Sequence, residues 1–472
     1  MKSIEVDMAI VGAGSAGMSA YKAARAHTDK LVVIEQGPYG TTCARVGCMP
    51  SKLLIAAAST AHAIDGSAGF GIEVAGRVID GAAVMARVRR ERDRFVGFVL
   101  DTVDGWPEAH RLQGRARFLA PGVLCVNDDL RVNAARIVIA TGATPNIPEG
   151  WRERLGDRLI VNDDVFDWTT LPDSVAVVGT GVVGLELAQA LHRLGVRVRL
   201  FGRGGRAGPL TDPAMQSAVK AWLQTTLPYS GNAAKLEARR EGAGVVVEWR
   251  DEHQATHREQ FDYLLAAAGR QPALSGLDLD KAGIPLDDKG MPRFNRNTCQ
   301  VGSTSVFIAG DANNDRPLLH EAADAGRIAG RNAGRYPDVR AEARRTPLNI
   351  VFTEPQMAMT GASHAELTNS GAAFAWGEAS FADQGRARVM GRNQGVIRVY
   401  GDRADGRLRG AELFGPEVEH LAHLLAWSIQ RGDTVSDALA CPFYHPVIEE
   451  GLRTALQDLA RTLRDQAVGL PH

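Results

Sequence analysis

"VDMAIVGAGSAGMSAYKAARAHTDKLVVIEQG", residues 6–37, decides the fold. An apolar run enters a glycine turn, an Ala-rich stretch follows, and a second apolar run ends at an acid. Strand, turn, helix and strand in that order predict a βαβ unit. The three glycines have separable uses. Gly12 permits the tight turn, Gly14 lets the backbone approach a pyrophosphate, and Gly17 lets the helix pack close to the strand. A phosphate there meets the free N–H groups and the dipole of a helix N-terminus. Glu35, at the end of the second strand, is placed to accept hydrogen bonds from ribose hydroxyls.

The plan recurs in "DSVAVVGTGVVGLELAQALHRLGVRVRLFGRG", residues 173–204, where Gly179, Gly181 and Gly184 take the same three places. One glycine pattern is weak evidence. Two, each between a predicted strand and a predicted helix, indicate two dinucleotide-binding modules. The copies part at their ends. Gly202 stands where the acid would be, and Arg203 and Arg206 follow. An acid there suits NAD(H), whereas its absence with arginines nearby suits a 2′-phosphate, so NAD(H) and NADP(H) both stay open.

The 472 residues allow several domains. A formal net charge of -1 points away from nucleic acid and from a membrane surface as partners. No apolar run approaches the roughly 18 residues that a membrane span needs. The opening "MKSIEVDMAIVGAG" lacks the layout of a secretory signal. The first domain is expected to begin near residue 4, and the cytoplasm is the expected compartment. Residues 82–106 predict one long amphipathic helix, whose interleaved acids make its arginines a solvated face.

Further on, "RIVIATGATP" (136–145) and "YLLAAAGRQP" (263–272) each predict a buried strand followed by a glycine turn, the exits of two nucleotide-binding modules. "STSVFIAGDANN" (303–314) predicts another buried strand ending in a glycine and an acid, followed by an Ala-rich helix. From "RTPLNIVFTEPQMAMTG" onward phosphate loops cease, and the pattern predicts an α+β domain with two late helices.

Five cysteines in this length make no disulfide scaffold. Cys43 and Cys48 share the short stretch "TTCARVGCMP", residues 41–50. Structural zinc needs four ligands, usually in paired clusters, and no second pair accompanies this one, so no metal is expected. Buried structural thiols suit a Gly- and Thr-rich segment poorly. A helix start lowers a thiol pKa and favours the thiolate. A redox couple is the expected use.

In this company, "TTCARVGCMPSK" resembles the redox-active region of the class I pyridine nucleotide–disulfide oxidoreductases. That family includes dihydrolipoamide dehydrogenase, glutathione reductase and mercuric reductase. The similarity runs over nearly the whole chain: the first glycine loop, the cysteine segment, "ATGA", the second glycine loop, "AAGRQP", "FIAGDA", "FTEPQMAMTG" and "HPVIEE". It implies an α/β fold with two Rossmann-like domains. An FAD-binding domain (1–150 and 273–345) is interrupted by an NAD(P)-binding domain (151–272), and an α+β dimerisation domain (346–472) follows.

The resemblance also implies roles. Cys43 exchanges with substrate and Cys48 faces the flavin. His445 accepts the thiol proton, and Glu450 orients its ring. Lys52 lies near flavin N5, paired with Glu186. Thr42, Ala116, Thr141, Gly142, Gly269, Asp311, Leu318, Leu319 and His320 join the two glycine loops, Glu35 and Arg203 in holding the cofactors. Val182 stands where glutathione reductases carry a tyrosine, which brings the chain nearer to lipoamide dehydrogenases.

The implied reaction is most like that of dihydrolipoamide dehydrogenase. A dihydrolipoyl thiol attacks the Cys43–Cys48 disulfide, electrons pass to FAD, and hydride passes to NAD+. The substrate is then a small or protein-bound dithiol or disulfide. His445 would act on the partner subunit's Cys43, so a homodimer is implied. The alternatives are an NADPH-dependent reductase of another small disulfide, similar to glutathione reductase, and a flavin transhydrogenase. "RDQAVGLPH", residues 464–472, carries no second cysteine pair, which points away from mercuric reductase and the large thioredoxin reductases. Arg45 departs from the small polar residue usual between the cysteines.

Overall fold

A computed structural model describes residues 1–467; the last five residues of the C-terminal stretch, 468–472, lie outside the described residues. The chain divides into two compact units. The first gathers Met1–Leu53, Ala86–Asn146 and Gly269–Arg344, and the second gathers Leu54–Met85, Ile147–Ala268 and the chain from Arg345 onward.

In the first unit the opening strand is Lys2–Val11, so regular structure starts two residues earlier than expected. The extra residues pair with Leu130–Ile139, beginning at Lys2 with Leu130. On its other side the strand pairs in parallel with Leu31–Glu35, Met8 opposite Leu31. Met8–Val11 and Leu31–Ile34 are buried apolar runs, as parallel strands covered on both faces must be. Val306–Ile308, the "FIAGD" strand, pairs in parallel with Leu130–Ile139. It therefore belongs to the same sheet as the first βαβ unit, although the second βαβ unit lies between them in sequence.

The helix Ser15–Ala24 packs against the helix Leu319–Arg335 with almost nothing between them. A Cβ at Gly326 would stand 2.1 Å from the Ala16 carbonyl oxygen, and one at Gly330 would stand 2.3 Å from that of Ala20. The Ala and Gly content of both segments is thus a packing requirement, because only small residues let two backbones approach this closely. The predicted long helix is Gly81–Asp104.

The segments that follow the two glycine turns meet. Ala143–Pro145 pairs antiparallel with Arg270–Pro272, and the Arg270 guanidinium donates to the Ala143 carbonyl at 2.5 Å. One small ribbon joins the place where the chain leaves this unit to the place where it returns.

In the second unit the glycine-loop sheet is parallel throughout, in the order Tyr229–Ser230, Arg197–Phe201, Ser174–Val178, Tyr263–Ala266, Leu159–Ile160. An antiparallel three-stranded sheet, residues 234–261, adjoins it in sequence. The C-terminal portion is an antiparallel five-stranded sheet. The helices Val418–Arg431 and Glu449–Ala467 contribute Leu421, Leu425, Leu452, Leu456 and Leu459 to its core. These are the two late helices the pattern predicted, with three shorter ones, His364–Asn369, Gly385–Val389 and Val435–Leu439, beside them. Among the described residues no helix is long and apolar enough to cross a membrane.

Candidate functional site

Both glycine loops have one geometry. Gly12 has φ +105° and Gly179 φ +125°, where side-chain-bearing residues are strained. A Cβ at Gly12 would also sit 2.4 Å from the Ala140 carbonyl oxygen, and one at Gly179 would sit 2.1 Å from that of Ala267. Around Gly14 and Gly181 a Cβ would meet nothing within 4 Å, which is the clearance a pyrophosphate requires. The third glycine differs in detail from the expected helix–strand packing. Gly17 and Gly184 lie against the carbonyl of the first glycine of their own loop, 1.9 Å from where a Cβ would be.

Glu35 has more to do than meet a ribose. Its carboxylate accepts the Ala13 N–H at 2.7 Å and the Gly37 N–H at 2.8 Å, so it braces the glycine loop. Each carboxylate oxygen can accept more than one hydrogen bond, which leaves capacity for ribose hydroxyls. Thr141 Oγ1 is buried without a hydrogen-bond partner in the structure. Asp311 is pushed above the usual carboxylate range by burial, which outweighs the opposing pull of Arg270. A clear pyrophosphate cradle, an unpartnered hydroxyl and a half-buried carboxylate fit a bound dinucleotide such as FAD. Ala116 is buried in the strand Ala116–Ala120, and Gly142 and Gly269 have φ +72° and +95° with open space around them. Leu318 caps the helix Leu319–Arg335, which puts Leu319 and His320 in its first turn.

The cysteines lie on two helices. Cys43 is in the five-residue helix Thr42–Val46, and Cys48 opens the helix Cys48–Asp65. Thr41 caps the first, its hydroxyl accepting the Ala44 N–H at 3.3 Å. Cys48 is exposed and Cys43 half-buried. Cys43 does not have the lowered pKa expected of a helix start. It is raised, first by the hydrogen bond it shares with Cys48 and then by burial, with Lys52 pulling the other way. Two thiols sharing one proton make the second ionisation hard. Lys52 lies four residues after Cys48 on the same helix.

Arg45 now has an explanation. Its guanidinium donates to the Pro38 carbonyl at 3.2 Å and to the Tyr39 carbonyl at 3.5 Å. It clasps the preceding loop to the cysteine segment, which a small polar residue cannot reach far enough to do.

In the second unit His445 and Glu450 meet. The imidazole Nδ1 lies 2.9 and 3.1 Å from the two Glu450 oxygens, and the Val447 N–H donates to Glu450 Oε2 at 3.2 Å. Glu450 is held below the usual carboxylate range, chiefly by the His445 hydrogen bond. The His445 side chain is 80% exposed, so its ring is oriented but uncovered. An oriented, accessible imidazole has the geometry that a general base needs.

Glu186 is buried in the helix Val182–Arg193, and one of its oxygens accepts the Phe352 N–H at 2.9 Å. Sequence reasoning missed the rest of this ladder. One turn on, Gln189 exchanges two hydrogen bonds with the Glu354 backbone, at 2.8 and 2.9 Å. One turn further, Arg193 pairs with the Glu354 carboxylate at 2.8 Å. The spacing Glu186, Gln189, Arg193 was the available signal, since residues three to four apart share a helix face. At the strand end, Gly202 is buried, and a Cβ there would lie 2.9 Å from the Gly231 carbonyl oxygen. No acid can occupy this place without moving that backbone. Arg203 and Arg206 are exposed beside it.

Residues 6–326 match the family model described as pyridine nucleotide-disulphide oxidoreductase, and residues 348–456 match its dimerisation domain. A dihydrolipoyl dehydrogenase of Thermus scotoductus is 30% identical, with 98% of each chain covered. A mercuric reductase of Acidithiobacillus ferrooxidans is 28% identical over 98% of this chain and 84% of its own. Among solved structures, the HOCl-induced flavoprotein disulfide reductase RclA from Escherichia coli, in its Cu(II) complex, superposes with a TM-score of 0.80 at 22% identity, covering 96% of this chain and 99% of its own. LpdA from Mycobacterium tuberculosis does so with a TM-score of 0.80 at 24% identity, covering 97% and 99%. At such identities the likeness concerns the fold. The chain belongs to the pyridine nucleotide-disulphide oxidoreductases, flavoenzymes that use FAD and NAD(P)H.

Proposed function

We propose that this enzyme oxidises dihydrolipoyl dithiols through the Cys43–Cys48 pair, working as a homodimer in the cytoplasm. The observation that carries the reading is the hydrogen-bonded couple of Cys43, in the helix Thr42–Val46, and Cys48, at the start of the helix Cys48–Asp65. The names of the curated relatives support the dihydrolipoyl substrate.

In the oxidised enzyme a substrate thiolate attacks Cys43 Sγ. The S–S bond breaks, a mixed disulfide forms on Cys43, and Cys48 leaves as a thiolate. The second substrate thiolate then displaces Cys43. Substrate leaves as a disulfide, and both cysteines are reduced. His445 takes the substrate's thiol proton on its uncovered face, while Glu450 holds its other nitrogen. In the homodimer, His445 would serve the partner subunit's Cys43. FAD, when bound, carries the electron pair from the cysteines to the nicotinamide. The Gly12 loop, Glu35, Thr42, Ala116, Thr141, Gly142, Asp311, Leu318, Leu319 and His320 would hold it. The Gly179 loop, Arg203 and Gly269 would hold the coenzyme, and Lys52 and Glu186 would supply charge near the reacting ring.

A second reading is favoured by Gly202, whose closed surroundings and flanking arginines suit a 2′-phosphate. It is NADPH-dependent reduction of another small disulfide. One set of assays separates the two: dihydrolipoamide with NAD+ and NADP+, and lipoamide and glutathione disulfide with NADH and NADPH. Cys48→Ser abolishes dithiol turnover on either reading, and His445→Gln lowers it by about 10²–10⁴-fold, the range of a lost general base. A Cys48→Ser enzyme that turns over lipoamide at the parent rate sinks the dithiol mechanism.

A further inference from the structure

The segment between the two cysteines has little support of its own. Thr42–Val46 is a five-residue helix, about one turn, too short to hold its shape alone. It starts from Thr41 at φ +57°, a backbone conformation that a side-chain-bearing residue keeps only where its neighbours fix it. Cys43 rides on this helix and Cys48 opens the next. The hydrogen bond between them, and a disulfide in its place, both need the first helix held against the second.

Arg45 holds that helix from outside. Its guanidinium reaches back to the Pro38 and Tyr39 carbonyls, at 3.2 and 3.5 Å. Its stem passes over Gly40, where a Cβ would stand 2.9 Å from Arg45 Cδ and 3.0 Å from Val96 Cγ1. The loop it grips is itself anchored. Tyr39 packs against the apolar core of the first unit. The Gly37 N–H donates to Glu35, which also accepts the Ala13 N–H of the first glycine loop, and Gln113 donates to the Gly37 carbonyl at 2.8 Å. Lys52 is the cation that draws Cys43 towards its thiolate, while the hydrogen bonds of Arg45 run to the loop. Arg45 therefore acts by holding.

We propose that Arg45 is a positioning residue for the dithiol: by tying the Cys43 helix to the anchored loop it keeps the two sulfurs within bonding reach and sets how strongly the pair favours its disulfide. The proposal rests on the redox use of Cys43 and Cys48 argued above. Reduction breaks the S–S bond, and two electrons with two protons leave two thiols. Sulfurs already held together give up little freedom when the bond re-forms, so the disulfide is favoured. Without the tie the reduced helix gains freedom, and reduction becomes easier. The plain structural alternative is that Arg45 only stabilises the fold. Its loss would then lower Tm and leave the thiol equilibrium where it was.

The test is anaerobic equilibration of the FAD-loaded enzyme with mixtures of reduced and oxidised dithiothreitol, which gives up two electrons as it closes to its own disulfide. Acid quenching, alkylation and mass spectrometry then count the thiols at Cys43 and Cys48. Arg45→Met keeps a stem over Gly40 and loses the donors. It should be half-reduced at a reduced-to-oxidised ratio about tenfold lower than the parent, a rise of about 30 mV in potential. Arg45→Lys keeps a donor on a shorter arm and should fall between the two; it carries the test if Arg45→Met does not fold. A parent-like midpoint in every folded variant overturns the proposal, even where Tm falls. A parent that forms no Cys43–Cys48 disulfide at the oxidising end overturns the dithiol reading as well, so the two failures are told apart.

Discussion

The two glycine modules share their loops and little else. Gly12 and Gly179 make the same turn, and Gly14 and Gly181 leave the same clearance. Their strand ends differ: Glu35 braces its loop with two backbone hydrogen bonds, whereas Gly202 is packed against the Gly231 carbonyl. Their helices are also seated differently. Ser15–Ala24 rests on Gly326 and Gly330, an apolar contact of bare backbones. Val182–Arg193 is hung on Glu186, Gln189 and Arg193. The loop fixes where a pyrophosphate lies. What surrounds it decides which nucleotide is bound and which conditions disturb it.

The largest effects come from the shared part. Gly12→Ala and Gly179→Ala each force φ beyond +100° on a side chain, about 1–3 kcal/mol for the backbone alone, before the clash with a carbonyl. Gly12→Ala should yield enzyme without flavin, judged by the flavin absorbance of purified protein. Gly179→Ala should keep its flavin but lose reduction by NADH and NADPH alike. Loss of flavin in both variants would show that the modules are not separable.

The strand end comes next. Arg203→Ala with Arg206→Ala should lower kcat/KM for NADPH by about tenfold or more and leave NADH nearly unchanged, since a 2′-phosphate contact is charge-assisted and NADH has none to lose. Gly202→Glu should fail to create NADH preference, because the new Cβ meets backbone at 2.9 Å. Equal losses for both coenzymes in the arginine variant would make those residues solvated loop charges.

Much of this was legible in the sequence, for physical reasons. A glycine turn between a buried strand and a helix has few uses, so Gly12, Gly14 and Gly17 signalled both fold and ligand. The His445–Glu450 pair was legible through the resemblance, since "HPVIEE" matches the family's pattern of a His-Pro followed by an acid, and the two side chains do meet. What stayed hidden were pairings between segments distant in sequence. Glu412 sits in a strand and is fully buried, yet accepts the N–H groups of Thr211, Asp212 and His364. Nothing local to it says so. Arg45 resisted for the same reason, because its partners are carbonyls, which every residue has. The expected lowered thiol pKa at Cys43 failed because it weighed the helix start and not the second sulfur.

The smallest effect tests the seating of the helices. An apolar seat has nothing to titrate, but the polar one does. His62 faces Arg193, Arg392, Glu354 and Asp65, and its pKa in the folded protein lies below the ordinary value of about 6.5. The unfolded chain therefore binds the proton first as pH falls, and stability is lost between about 6.5 and the lower folded value. Glu354 acts in the same sense further down, since its pairing with both arginines is complete above the ordinary carboxylate range and is lost as the pH falls through its lowered pKa. His62→Asn should remove the upper part of this acid limb, so that Tm changes less between pH 7 and pH 5.5 than in the parent. The comparison is made at constant ionic strength, so that screening of the arginine–carboxylate pairs is the same throughout. A parent whose acid limb is unchanged by His62→Asn would locate the sensitive group elsewhere, and the contrast between the two seats would then rest on geometry alone.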